Sequence, residues 1–421
     1  MSYSRMRTMQ QSTDTGLLRI NVESALRNTP VENAVVDISY SGDPESVIEE
    51  VRTDSTGRTD TVALEAPPLE YSLSPGEQQP YSEYTFSVSA EGFETITVSG
   101  SEILSGQLSL QTIRLRPIEE RETPDVVVIP AHTLYGNYPP KIAEAEVKPV
   151  SQTGEIVLSR VVVPEFVVVH DGSPRDTTAT DYYVRYRDYI KNVASSEIYS
   201  TWPRAALQAN ILAIMSFTLN RVYTEWYRNK GFNFTITSST AFDHKWIYGR
   251  NIFESISEVV DEIFDAYLSR PNVKQPILTQ YCDGNRVTCP NWMSQWGSKN
   301  LADQGYSSIE ILRYYYGDSI YINAAEEVAG VPSSYPGYAL RIGSSGDAVR
   351  QIQEQLNAIS NNYPLIPKIS VDGIYGPATE NAVKVFQSVF NLTQDGIVGR
   401  RTWYRIQDIY VAVTRIAELY P

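Results

Sequence analysis

The sequence predicts a multidomain chain: an N-terminal antiparallel β-sandwich, a central α+β domain and a small C-terminal three-helix domain. Three observations carry this. Residues 1–120 contain no lysine, 8 arginines and 19 acidic residues, so −11 of the net charge of −15 lies in under a third of the 421 residues. Prolines then recur at 117, 124, 130, 139, 140 and 149. Near the end, VDGIYGPAT at 371–379 returns as QDGIVGRRT at 394–402, shifted by 23 residues.

Within residues 1–116, the stretches 18–22, 34–38 and 84–88 are β-branched or alternating, as short strands are. TDSTGRT at 53–59 and the proline pair at 67–68 are turn clusters between them, and that spacing suits an acidic sandwich. Residues 117–154 read as an extended, exposed connector, because proline fixes φ and offers no N–H to a ladder. Such connectors are where proteases cut. A second connector, residues 331–337, separates the central domain (155–330) from the C-terminal one (337–421).

In the central domain, 161–169 and 182–186 read as strands. A short helix through YIKNVASSEI is expected to be capped by Asp188. A long helix over 205–226, apolar nearly all round, is expected to start from Ser200-Thr201-Trp202-Pro203. In the C-terminal domain, Val349, Ile352, Leu356 and Ile359 mark one helix; Ala382, Val383, Phe386 and Phe390 a second; and Trp403, Ile406, Tyr410 and Val413 a third. Each copy of the repeat is a glycine turn feeding a helix start, with its Asp-Gly pair holding the turn.

Composition excludes several chemistries. A net charge of −15 argues against nucleic acid or an anionic membrane as partner. No run of about 18 apolar residues spans a bilayer, and no apolar stretch follows the first arginines as a secretory signal would. The three histidines, His132, His170 and His244, form no HExxH or HxH, and two cysteines cannot build a four-thiolate zinc site, so no metal or other cofactor is expected. Cys282 and Cys289, with six residues between them, either form a local disulfide or stay reduced. Carboxylates are left as the working groups.

Glu197 is the candidate. Ile190, Val193, Ala194 and Glu197 fall at i, i+3, i+4 and i+7, so this carboxylate continues an apolar helix stripe. Burial there raises the pKa of a glutamate, which then holds a proton near neutral pH and donates it to a leaving oxygen. The competing reading is a structural pair with Arg185 or Arg221.

Resemblance adds to these readings. TDSTGRT with YTFSVSAEGFE resembles the carboxypeptidase-regulatory-like sandwiches. LRIGSSGDAVRQIQEQLN, DGIYGPATENAVKVFQ and DGIVGRRTW resemble the peptidoglycan-binding domains of type 1. DYIKNVASSEIYSTWPRAALQANILAIMSFTLNR, SSTAFDHKWIYG at 238–249 and MSQWGSKNLADQGYSSIEILRYYYG at 293–317 resemble, in order, the SpoIID/LytB-type domain. There a glutamate just before a tryptophan-proline turn is catalytic, which assigns that role to Glu197. Substrate-binding candidates by the same resemblance are Ser195, Ser239, Thr240, Tyr248, Gln295 and Trp296. TQYCDGNRVTCPNW at 279–292 departs from the small, glycine-rich segment the family shows at this place.

The whole order of domains is similar to the clostridial spore cortex-lytic enzymes. The resemblance implies the precursor of a lytic transglycosylase that cuts spore cortex peptidoglycan during germination, after a subtilisin-like germination protease cuts within 116–160. Two alternatives stay open: a hydrolytic muramidase using Asp243 or Asp283 as second acid, and a non-catalytic wall-binding scaffold.

Overall fold

A computed structural model of the chain describes residues 13–25, 29–118, 125–148, 158–325, 327–330 and 335–414. The acidic stretch at 119–122 and residues 331–334 of the second connector lie outside the described residues.

Eight strands build the N-terminal unit: β1 (Asp14–Ser24), β2 (Val35–Tyr40), β3 (Asp43–Arg52), β4 (Val62–Ala66), β5 (Tyr81–Ser89), β6 (Ile96–Leu104), β7 (Leu108–Leu115) and β8 (Asp125–Val128). Alternation sends Leu18, Ile20 and Val22 of β1 into one core with Val36, Ile38 and Phe86 of the other sheet. One sheet runs β3-β2-β5-β6-β8; the other contains β7-β1-β4. Both are mixed, which corrects the antiparallel expectation: β1 pairs with β7, and β6 with β8, in parallel. Hairpin spacing predicts only antiparallel neighbours, and these pairs are brought together from distant parts of the chain. The turn at 53–59 forms as its residues suggest. Asp54 Oδ1 accepts the N–H groups of Thr56 (2.8 Å) and Arg58 (3.1 Å), and Gly57 sits at φ +74 with its would-be Cβ 2.4 Å from the Val22 carbonyl.

The central domain follows as β9 (Val162–Val163), β10 (Phe166–His170), β11 (Asp181–Arg185), α1 (Tyr186–Glu197), α2 (Arg204–Tyr223), β12 (Ile236–Thr237), β13 (Ile252–Phe253), α3 (Glu254–Ile263), β14 (Ala266–Ser269), β15 (Tyr281–Cys282), β16 (Met293–Ser294), α4 (Gln295–Asp303), α5 (Ser308–Tyr316), β17 (Tyr321–Ala324) and β18 (Glu327–Val328). α2 is the buried centre, contacting α1, α3, α4 and α5. The cap expected for α1 is corrected. Arg185 is the N-cap of α1 and Asp188 lies inside its first turn, where its charge suits the positive helix end. Pro203 is the N-cap of α2. The Thr201 hydroxyl instead donates to Ser72 Oγ (2.8 Å), and Trp202 Nε1 donates to the Ser72 carbonyl (3.0 Å), so a contact with the N-terminal unit takes the groups a local cap would use.

That contact belongs to a broad junction. β13 pairs with β7 and extends the N-terminal sheet. Arg250 meets Glu102 in a fully buried two-pronged pair (2.8 and 2.6 Å) and also donates to the Ser195 carbonyl (2.5 Å). The described part of the connector is only partly exposed: Pro139, Pro140 and Ile142 are open, while other residues dock inward. His132 is fully buried and stacked on Tyr199 (4.5 Å), and residues 131–148 lie along the central domain as a strap. Strap backbone groups bond to this domain: the Thr133 N–H donates to the Ser196 carbonyl (3.1 Å) and the Lys148 N–H to Gln275 Oε1 (2.7 Å).

The C-terminal helices are α6 (Asp347–Ile359), α7 (Pro377–Val389) and α8 (Arg400–Thr414). The sequence repeat becomes a repeated network. Gln353 Nε2 donates to Asp372 Oδ1, the Ile374 carbonyl and Thr379 Oγ1, while its Oε1 accepts the Gly373 N–H. Gln387 does the same with Asp395, Ile397, Thr402 and Gly396. Both other units hold this domain. Arg58 donates to the Ser388 and Val389 carbonyls at the end of α7 (both 2.6 Å), and Arg187 of α1 pairs with Asp408 of α8. Gln387→Leu strands the Gly396 N–H and the Ile397 carbonyl. It is expected to destabilise the chain by about 1–3 kcal/mol in denaturant unfolding, and Gln353→Leu by a similar amount.

Candidate functional site

α1 ends on Glu197, because Ile198 turns to extended backbone and the chain enters the Trp202-Pro203 turn. The apolar stripe of α1 packs on α2, which carries the Glu197 side chain inward to 3% exposure. Neither arginine weighed as its partner reaches it: Arg185 pairs with Glu165, and Arg221 with Glu144 and Asp243. Instead Oε1 accepts the Lys245 backbone N–H (2.6 Å) and Oε2 accepts the Tyr281 hydroxyl. Gln295 Nε2 donates to the Glu197 carbonyl (3.1 Å). Burial pushes the Glu197 pKa above the usual carboxylate range, and Lys141, the Lys245 amide and the Tyr281 hydroxyl only partly oppose it.

The two aromatic neighbours stay neutral. Burial, reinforced by the Glu197 charge, keeps the Tyr281 phenol far above its ordinary pKa. His244 lies parallel to the Tyr281 ring at 5.9 Å, with Nδ1 3.0 Å from the Tyr189 hydroxyl, and burial depresses its pKa. It is therefore an interior histidine that supports Tyr281. A protonatable carboxyl group held by one phenol and one amide suits proton donation and return.

Glu197 opens into a cavity of about 230 Å³. Its floor includes Tyr281, Cys282, Asp283, Arg286 and Gln295; its roof is the strap from Thr133 to Lys141. Lys141 reaches in beneath the roof, with Nζ near the rings of Phe217 (5.1 Å) and Tyr281 (5.2 Å), and donates to the Asp243 carbonyl. Arg286 locks the strap from the other side, donating to the Tyr135 and Gly136 carbonyls. Arg286 sits on the loop closed by the Cys282–Cys289 disulfide, which settles the state of those cysteines in this structure.

Of the six binding candidates, Thr240 and Gln295 line this cavity. The other four lie elsewhere. Ser195 is fully buried at the junction, its Oγ accepting the Phe253 N–H (3.4 Å). The Ser239 carbonyl accepts the Phe242 and Asp243 N–H groups in a turn. Tyr248 stacks on Tyr182 (4.9 Å), and Trp296 is buried against Trp202 (4.9 Å). The carboxylates weighed as a second acid are both occupied. Asp243 accepts from Arg221, Tyr227 and Thr237, and Asp283 accepts the N–H groups of Asn285, Arg286 and Val287. Tyr281, the Lys245 amide, Lys141 and Arg286 escaped the sequence reading. A backbone amide leaves no residue-type signal, and the other three lie 56 or more positions from Glu197.

Residues 345–406 match the family described as putative peptidoglycan binding domain, so a peptidoglycan-binding domain occupies the C-terminal part of the chain. Three curated relatives are similar to this chain over short stretches. The zinc D-Ala-D-Ala carboxypeptidase of Streptomyces albus G is 44% identical over 70 residues, 16% of this chain and 26% of that protein. The autolytic lysozyme of Clostridium acetobutylicum is 33% identical over 129 residues, 29% of this chain and 37% of that protein. The N-acetylmuramoyl-L-alanine amidase CwlL of Bacillus licheniformis is 40% identical over 72 residues, 15% of this chain and 18% of that protein. The chain thus spans well under half the length of each. Among solved structures, the SleB N-terminal domain aligns at 27% identity, over 18% of this chain and 99% of that chain, with a TM-score of 0.16.

Two outcomes test the site. A carboxyl group whose folded pKa is raised destabilises the fold once ionised, so the wild type is favoured at acid pH and loses that advantage as pH rises through the folded pKa. Glu197→Gln cannot ionise. Its melting temperature is expected to match the wild type below about pH 4 and to exceed it increasingly towards neutrality, read by calorimetry across pH. Tyr281→Phe removes a donor to the charged form, so the Glu197 pKa rises further; difference infrared spectra against Tyr281→Phe/Glu197→Gln follow that carboxyl directly.

Proposed function

We propose that this chain is the inactive precursor of a lytic transglycosylase that cleaves the glycan strands of peptidoglycan. The observation that carries the reading is a single buried, protonatable glutamate facing a cavity, while Asp283 in its wall and Asp243 buried outside it are committed to structural bonds. One glutamate suffices for this reaction. Its proton goes to the glycosidic oxygen as the bond from muramic acid C1 breaks. The sugar's own C6 hydroxyl then attacks C1, and its proton returns to Glu197. A 1,6-anhydro end forms and no water is consumed. Ordinary glycosidases instead place a second carboxylate at a set distance. In this reading the Tyr281 hydroxyl and the Lys245 amide hold the carboxylate in place while it passes between charge states. The C-terminal domain anchors the enzyme to its polymer.

The order of units resembles the spore cortex-lytic enzyme SleC of clostridia. That likeness points to cortex peptidoglycan as substrate, to the spore as location and to a subtilisin-like germination protease as activator. The strap gives the precursor state a physical basis: it roofs the cavity, and its Lys141 stands beside the carboxyl group that must act. A cut beyond residue 148 separates the strap from α1, whereas a cut before residue 125 leaves it attached to the central domain.

The test uses the full chain with an engineered protease site at either 119–124 or 149–157, incubated with purified cortex after nicking. Mass spectrometry is expected to find anhydro-muramic ends, one water lighter than hydrolysed ends and resistant to borohydride, only after the 149–157 cut and never with Glu197→Gln. Reducible ends would make the protein a hydrolase. Absence of fragments from every form, with binding retained, would make it a scaffold.

A further inference from the structure

The way the central domain holds the strap has the chemistry of peptide recognition. Gln280 is almost fully buried, and both ends of its side chain are taken by strap backbone: Oε1 accepts the Glu144 N–H (2.9 Å) and Nε2 donates to the Ile142 carbonyl (2.8 Å). Backbone groups continue the pattern. The Ile142 N–H donates to the Ala241 carbonyl (2.7 Å), and the Leu278 N–H to the Glu146 carbonyl (2.8 Å). Arg286 takes the carbonyls of Tyr135 and Gly136 at the other end, within the cavity that Glu197 faces. Alternate main-chain donors and acceptors satisfied along one edge are how an extended peptide is read without regard to its side chains.

One side chain of the strap is read as well. The Glu144 carboxylate meets the fully buried Arg221 guanidinium through two bonds (3.0 and 2.6 Å). With the strap gone, Gln280 loses both partners and Arg221 keeps Asp243 alone among these carboxylates. Buried donors without partners cost free energy, so the emptied groove favours a ligand that restores them.

We propose that the strap stands in for a peptide. Once it leaves, the groove of Gln280, Arg286 and Arg221 takes an extended acidic peptide, the class to which the stem peptides on muramic acid belong. The nature of that peptide rests on the glycan-cleaving reading above. The groove and the Glu197 cavity meet at Arg286, so the preferred substrate is a peptide-bearing strand rather than a stripped one.

The test measures binding. The chain nicked at 149–157 and carrying Glu197→Gln is titrated by calorimetry with a soluble disaccharide bearing its acidic stem peptide, and with the same disaccharide lacking it. The peptide-bearing ligand is expected to bind at least about tenfold more tightly. Gln280→Ala and Arg286→Ala should each remove that difference, and Gln280→Ala, whose side chain does not line the Glu197 cavity, should leave the peptide-free ligand unchanged. The C-terminal domain contributes equally to every variant, and Arg286 is exposed, so Arg286→Ala does not depend on refolding a core. Equal affinity for the two ligands, no binding of either, or a full preference in Arg286→Ala overturns the proposal. Peptide preference in a nicked, Glu197-intact protein that yields no anhydro ends would overturn the transglycosylase reading and leave the groove standing. Anhydro ends with no peptide preference would do the reverse.

Discussion

The structure is arranged around the cost of keeping one carboxyl group out of water at the end of α1. A buried glutamate is tolerable when its charged form has donors and its neutral form has a dry setting. Glu197 has both: the Lys245 amide and the Tyr281 hydroxyl on its oxygens, and the α2 core behind it. Tyr281 in turn lies parallel to His244, which is tied to Tyr189 on α1. The ring of support thus starts and ends on the helix that carries the glutamate, and the Lys141 charge partly offsets the burial.

Charge is handled differently a short distance away. Arg221, Glu144, Asp243 and Lys148 form a compensated cluster in which every ion has a partner of opposite sign. Two of these ions, Glu144 and Lys148, belong to the strap. The strap is therefore held by interior electrostatics as well as by its backbone, and stripping it away leaves Arg221 under-compensated. A similar dependence links the larger units. Glu102 of the N-terminal unit neutralises Arg250 of the central domain, and Arg187 of the central domain pairs with Asp408 of the C-terminal one. The three units are coupled through these charge pairs, and Arg187 also meets Asp261 within its own domain.

Much of this was legible in the sequence. The apolar stripe Ile190, Val193 and Ala194 with Glu197 at its end reported a buried carboxyl, since a 3.6-residue period is a property of the local chain. The helices of the C-terminal domain and the turn at Asp54–Gly57 were equally readable, because spacing and left-handed glycines act over a few residues. The misreadings share a cause. Thr201 and Ser72 are 129 positions apart, yet their bond decides how α2 begins. Ser195 and Trp296 look like contact residues by their place in a motif, and bonding to β13 and packing on Trp202, both distant in sequence, turn them into core.

The sequence by itself determined that Glu197 is buried at the end of a helix and that a repeat lies in the C-terminal domain; each follows from periodicity or local spacing. Only the tertiary structure decided what surrounds that carboxyl group. The Lys245 amide has no side-chain signature, Tyr281 and Lys141 arrive from 84 positions downstream and 56 upstream, and the proline-rich segment is a strap rather than an open connector. Prolines stiffen a chain but do not say what it lies against, and that is settled by the interior partners at Gln280, Arg286 and Arg221.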